Sequence, residues 1–178
     1  MTLVSITNFI FSLLTILSQL IIGLIILGII TSKKNFLNCF SQKAIIFSFV
    51  IALGATLGSL FYSEIIGFEP CKLCWFQRIF IYPQVILFAI ALLKKNENQK
   101  LVIYNGLSLS IIGALISLYH YILQIGVTSS LPCGATQYSI SCSERFVMEF
   151  GYITLPMMAL TAFIFIITLL YLKIKNQN

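Results

Sequence analysis

Charge is what this sequence lacks most. Asp, Glu, Lys and Arg together make up 9% of it and hydrophobic residues 59%, whereas soluble domains carry about 25% charged residues. Too few charges remain to build a water-facing surface. No charged residue precedes Lys33, so the N-terminus has no basic n-region of the kind that opens a signal peptide. The net charge of +6 gathers in short clusters between apolar runs. It makes no basic patch, which excludes nucleic acid as a partner. Internal repeats, low-complexity segments and an independent soluble domain are also missing. So are haem, flavin and nicotinamide motifs.

What the chain does have is length in its apolar runs. A helix needs about 20 mostly apolar residues to cross a bilayer, and five stretches qualify: Asn8 to Ile30, Ala44 to Ser63, Trp75 to Leu93, Leu101 to Ile125 and Phe150 to Leu172. The third is the shortest in apolar core, because Gln77 and Arg78 sit in its first turn. Gly54, Gly58, Gly106 and Gly113 fall within the second and fourth spans, where small residues allow close helix contact. The first stretch reads as a retained span, since no convincing small-residue cleavage site follows it.

Charge sets the orientation. Lys33, Lys34, Lys43, Lys94, Lys95, Lys100, Lys173 and Lys175 fall on one side if all five stretches span. Lys72, Arg78 and Arg145 fall on the other, with Glu64, Glu69, Glu144 and Glu149. Positive residues mark the cytoplasmic side. The C-terminus is therefore expected inside, and segments 64–75 and 126–149 outside.

Four of the five cysteines lie in those outer segments: Cys71 and Cys74 in one, Cys133 and Cys142 in the other. Cys39 falls inside, where thiols stay reduced, and reads as an ordinary thiol. Cys71-Lys72-Leu73-Cys74 opens the third span, where unpaired N–H groups and the helix dipole favour a thiolate, the reactive form of cysteine. Lys72 and Arg78 add positive charge. A lone Cys-x-x-Cys can also be half of a zinc site, but zinc ribbons use a second short pair, and the spacing of Cys133 and Cys142 is awkward for that. It is easy for a flexible disulfide loop through Gly134. Two purely structural disulfides are the other plain reading. The polar connection carrying Cys133 and Cys142 is the longest outside the spans, and loops of that length are usually functional or mobile.

Several motifs together resemble the bacterial disulfide-bond-formation protein B (DsbB) family, in particular its short Gram-positive-type (BdbC-like) members. They are Pro70-Cys71-x-x-Cys74-Trp75-x-Gln77-Arg78 with Tyr82-Pro83, Tyr119-His120-Tyr121-x-Leu123-Gln124, and Cys142-Ser143-Glu144-Arg145. The resemblance covers residues 44–172. It implies an all-α integral membrane protein, a four-helix transmembrane bundle over 44–172 with an extra N-terminal transmembrane helix at 1–31 that has no counterpart in the family core. The implied enzyme is a quinone-dependent thiol:disulfide oxidoreductase of the bacterial cytoplasmic (inner) membrane. Such an enzyme reoxidises a thioredoxin-like (DsbA-like) thiol oxidase outside the cytoplasm and passes its electrons to a membrane quinone, ubiquinone or menaquinone. By position, Cys133 exchanges with the partner, Cys142 is its companion, and Cys71 with Cys74 carries electrons onward. The implied disulfides are Cys71–Cys74 and Cys133–Cys142. Cys74 and Arg78 lie next to the quinone, and His120 matches a histidine near it in some members. The segment between Cys133 and Cys142 is much shorter than in Gram-negative members.

Physical chemistry points the same way. Moving a disulfide from one pair to another consumes no oxidant, so a relay needs a terminal acceptor. That acceptor must be more oxidising than a partner near about −120 mV. A chain lying almost wholly in the bilayer has lipid-soluble acceptors at hand. Three other readings compete: a vitamin K epoxide reductase-like quinone reductase, a transporter with structural disulfides, and a structural membrane subunit. The transporter would need polar residues along a path at mid-membrane, and the spans offer hardly any. Arg78 could simply snorkel to the headgroups, and His120, the only histidine, could be a packing residue rather than a proton carrier. Glu144 and Arg145 are expected to cap or anchor the last helix.

Overall fold

The computed structural model of the chain describes residues 3–31, 34–94, 99–126, 142 and 145–176. Its apolar runs are helices, as a bilayer demands of any backbone that must satisfy its own hydrogen bonds. In chain order they are α1 (Leu3–Ile30), α2 (Lys34–Gln42), α3 (Ala44–Leu60), α4 (Lys72–Leu93), α5 (Gln99–Ile125) and α6 (Leu155–Lys175). All but α2 are long and apolar enough to span, α3 with the π-helical turn Phe61–Ile65 that continues it.

Helices α3, α4, α5 and α6 form a ring in which each packs on its two neighbours, and α1 lies outside against α6. Helix α6 touches α1, α2, α3 and α5 and is the most buried span. Phe88, Ile103, Phe163, Ile166 and Leu170 fill the ring's core. Close approach depends on glycine at two places. At Gly106 a Cβ would lie 2.9 Å from the Phe88 ring, and at Gly113 it would overlap the Phe163 ring. Gly58 meets Phe11 of α1, whereas nothing packs on Gly54. The expectation of close contact therefore holds at three of these glycines and fails at Gly54, which faces a surface groove shared with Ile10 and Phe11.

Buried polar groups cross-link the spans. Ser110 Oγ donates to Gln84 Oε1 (3.0 Å), joining α5 to α4. Tyr62 OH donates to Asn8 Oδ1 (2.9 Å), and Gln19 Nε2 donates to Thr161 Oγ1 (3.2 Å), joining α1 to the bundle. Rings of Tyr62, Phe68 and Phe146 stack in a row, and Phe11 meets Tyr62 at a tilt.

Two features depart from the sequence expectation. The last helix starts at Leu155, not Phe150, because Phe150 (φ 51°) and Gly151 (φ 77°) are left-handed and Glu149 pairs with Ile153 in a short turn. Pro156 then suits the first helical turn. Helix α2 was not foreseen. It is a short amphipathic piece with Leu37 and Ser41 buried and Cys39 exposed.

Candidate redox site

Helix α4 begins at the Cys-x-x-Cys. Cys71 is its N-cap, with extended backbone (φ −68°, ψ 170°), and its sulfur accepts the Cys74 N–H (3.4 Å). One helical turn brings the two sulfurs to 3.0 Å. Both are free thiols, Cys71 buried and Cys74 half-buried.

Helix α5 delivers His120 to the same spot, 1% exposed. Its Nε2 lies 3.6 Å from Cys71 Sγ and 3.2 Å from the carbonyl oxygen of Cys142. Gln77 of α4 reaches the other ring nitrogen, with Nε2 3.2 Å from His120 Nδ1. An amide N–H donated to Nδ1 leaves the imidazole proton on Nε2, facing the Cys71 sulfur and the Cys142 carbonyl.

The Cys71 thiol is held well below its ordinary value, at about 4. The hydrogen bond with the Cys74 thiol is the largest cause, burial works against it, and the His120 hydrogen bond adds to the lowering. Cys71 is thus biased toward the thiolate.

Cys142 is disulfide-bonded and 2% exposed. It packs with Cys71 and Leu123 in one small cluster, bordered by Leu73, Cys74 and Tyr119. Cys133 and the loop 127–141 lie outside the described residues, as do Ser143 and Glu144.

Arg78 follows one turn after Cys74. It is only 8% exposed, and its Nε and Nη2 donate to Ser59 Oγ (2.9 Å) and Ser59 O (3.0 Å) of α3. Its guanidinium sits 5.2 Å from the centre of the Trp75 ring. The head is folded against α3. Arg145 also differs from expectation. Its Nε donates to the Gln124 carbonyl at the C-terminal end of α5, so it ties its own segment to α5 and does not cap α6.

Four expected residues, Cys71, Cys74, His120 and Cys142, therefore meet in one cluster, with Arg78 one turn away. Sequence reasoning assigned no role to Gln77 or Ser59. For Gln77 the signal was available: an uncharged amide in the first turn of an apolar span, within the same motif as both thiols. Ser59 had none, being one small residue in a small-residue helix.

Thiols gathered in this way, inside a bundle of membrane-spanning helices, define a membrane thiol–disulfide oxidoreductase. Comparison with known proteins names the family. Residues 41–173 match the family model described as "Disulfide bond formation protein DsbB", and the chain belongs to that family. It is 45% identical over 123 residues to "Probable disulfide formation protein C 1" of Bacillus anthracis, covering 69% of this chain and 86% of that protein. It is 44% identical over 122 residues to "Disulfide bond formation protein C" of Bacillus subtilis, covering 67% and 84%. The "SPbeta prophage-derived disulfide bond formation protein B" of the same species is 43% identical over 131 residues, covering 73% and 85%. No solved structure matches the chain.

Membership carries the general activity, membrane thiol oxidation coupled to quinone reduction in support of disulfide bond formation. The residues present fit a quinone. Arg78 has five N–H donors, and two of them are engaged by Ser59. Trp75 and Phe76 present exposed aromatic surface in the same turns as Cys74.

Proposed function

We propose that the protein carries electrons in two stages on the outer face of a bacterial cytoplasmic membrane. A reduced thioredoxin-like oxidase gives its electrons to the pair Cys133–Cys142, and the pair Cys71–Cys74 passes them to the quinone. One observation carries this reading: Cys142 and Cys71 share a buried cluster, with His120 Nε2 within reach of both residues. Cysteines with unrelated structural roles would have no reason to meet there.

The steps balance as thiol–disulfide exchange. A partner thiolate attacks Cys133, displaces the Cys142 sulfur, and leaves a mixed disulfide. The partner's second thiol then releases the oxidised partner, and Cys133 and Cys142 remain as a dithiol. The Cys142 thiolate next attacks Cys71 of the Cys71–Cys74 disulfide, and Cys133 resolves that bond. Two electrons and two protons have then reached Cys71 and Cys74. The quinone supplies the two-electron acceptor. Cys74, half-buried at the mouth of α4, and Arg78, through its N–H donors, would hold it. In this reading the basic end (Lys43, Lys94, Lys100, Lys173, Lys175) is cytoplasmic, and α1 is a retained fifth span docked through Asn8 and Gln19.

The test is trapping. In Cys142→Ser, the lone Cys133 thiolate attacks the disulfide of added oxidised partner and frees one partner thiol; alkylating that thiol should trap the mixed disulfide on a non-reducing gel. Cys133→Ser should give none. An adduct only in Cys133→Ser would exchange the two roles. Intact activity with no adduct in either variant would remove this pair from the mechanism.

A further inference from the structure

The ligand set at the mouth of α4 has a second chemical capacity. Cys71 Sγ, Cys74 Sγ and a ring nitrogen of His120 all lie within 4.8 Å of one another, the one such cluster among the described residues. We propose that the reduced protein binds a thiophilic divalent cation of the zinc type through Cys71, Cys74 and His120, and that the disulfide form does not. The proposal takes from the functional reading only that Cys71 and Cys74 alternate between dithiol and disulfide.

The geometry is close to what such an ion requires. Zinc takes Cys sulfur at about 2.3 Å and His nitrogen at about 2.0–2.1 Å, so tetrahedral ligand atoms stand roughly 3.5–3.8 Å apart. The sulfurs are 3.0 Å apart and Cys71 Sγ is 3.6 Å from Nε2. Shifts of about an ångström complete the fit. The outer coordination shell is also in place. Metal-bound histidines hydrogen-bond a second group through their other nitrogen, and Gln77 already sits 3.2 Å from Nδ1. With the ion on Nε2, the proton moves to Nδ1 and the Gln77 amide turns its oxygen toward it. Binding converts Cys71 and Cys74 to thiolates and releases any thiol proton.

This site differs from a zinc ribbon, which would join the two cysteine pairs. It uses one pair and a histidine from another helix, leaving a fourth position open. Only thiolates are ligands, so oxidation of the pair expels the ion. Occupancy in turn withholds both sulfurs from the acceptor, so the cation is a reversible inhibitor of the reduced enzyme.

The full-length protein, reduced, freed of reductant and kept anaerobic, is titrated with zinc, and alkylation of each cysteine is followed by peptide mass spectrometry. Zinc is expected to slow alkylation of Cys71 and Cys74 together, where magnesium does not. The oxidised protein should not bind zinc at this site. Gln77→Ala keeps all three ligands and should weaken binding about 10–100-fold, as loss of an outer-shell partner does, and His120→Gln should weaken it at least as much. Unprotected thiols in zinc overturn the proposal, as does undiminished affinity in folded His120→Gln, which would mean the dithiol binds alone. If His120→Gln does not fold, undiminished affinity in Gln77→Ala overturns it. Unprotected thiols in a protein that still turns over count against this site alone. Protected thiols in a protein that never exchanges with a partner count against the relay alone.

Discussion

His120 Nε2 lies 3.6 Å from the sulfur of Cys71, although the two residues belong to different helices. The contact makes the reactivity of α4's N-cap residue depend on α5, and several consequences can be measured.

Alkylation of Cys71 in the reduced protein should be nearly independent of pH from about 6 to 8. A thiol is nucleophilic above its pKa, and that of Cys71 is lowered to about 4, so it is already thiolate throughout that window. An ordinary thiol near about 8.5 gains roughly tenfold in rate per pH unit below that value. Removing the main cause with Cys74→Ala should move the profile of Cys71 to higher pH. A smaller move in the same direction is expected of His120→Phe. A steep wild-type profile would show that Cys71 is not the thiolate of the pair.

Arg78→Met should raise the apparent KM for quinone while sparing exchange with the thiol partner. A hydrogen bond to a charged group contributes about 1.5–3 kcal/mol, so the loss should be roughly tenfold to a hundredfold. Ser59→Ala, which removes the hydroxyl partner of Nε and keeps the carbonyl partner of Nη2, should produce a smaller defect of the same kind. Unchanged quinone kinetics in Arg78→Met would leave the arginine a packing role only.

Gly113→Ala and Gly54→Ala should part company in thermal unfolding. The Phe163 ring occupies the place of a Cβ at Gly113, and overpacking costs about 1–3 kcal/mol. Nothing lies within 4 Å of a Cβ at Gly54, and alanine there gains helix propensity. Equal behaviour of the two variants would contradict the α5–α6 packing.

Membrane-impermeant thiol reagents applied to intact cells should miss Cys39, which is exposed on α2 at the basic end of the bundle. After reduction they should reach cysteines of the opposite end. Labelling of Cys39 from outside would invert the orientation.

Much of this was legible in the residues. Spans follow from apolar length, and the helix start at Cys71 from Pro70 and the thiols that follow it. Other features depend on partners that a single strand of sequence does not name. Gly54 and Gly113 look alike until Phe163 settles on one of them. Phe150 reads as the first residue of an apolar run, yet its left-handed backbone belongs to a turn closed by Glu149 and Ile153. Arg145 precedes α6 in sequence, yet its acceptor is the Gln124 carbonyl at the end of α5. Gln77 was visible as part of a motif, but its role needed His120 beside it.

Electron flow tests the central claim most directly. Purified protein is mixed with a reduced thioredoxin-like oxidase and excess quinone, and quinone reduction is followed over many turnovers. The relay predicts sustained reduction by the wild type, and loss of catalytic turnover when any one of Cys71, Cys74, Cys133 and Cys142 is changed to Ser. Sustained reduction by Cys71→Ser or Cys74→Ser, at the wild-type rate, would contradict it.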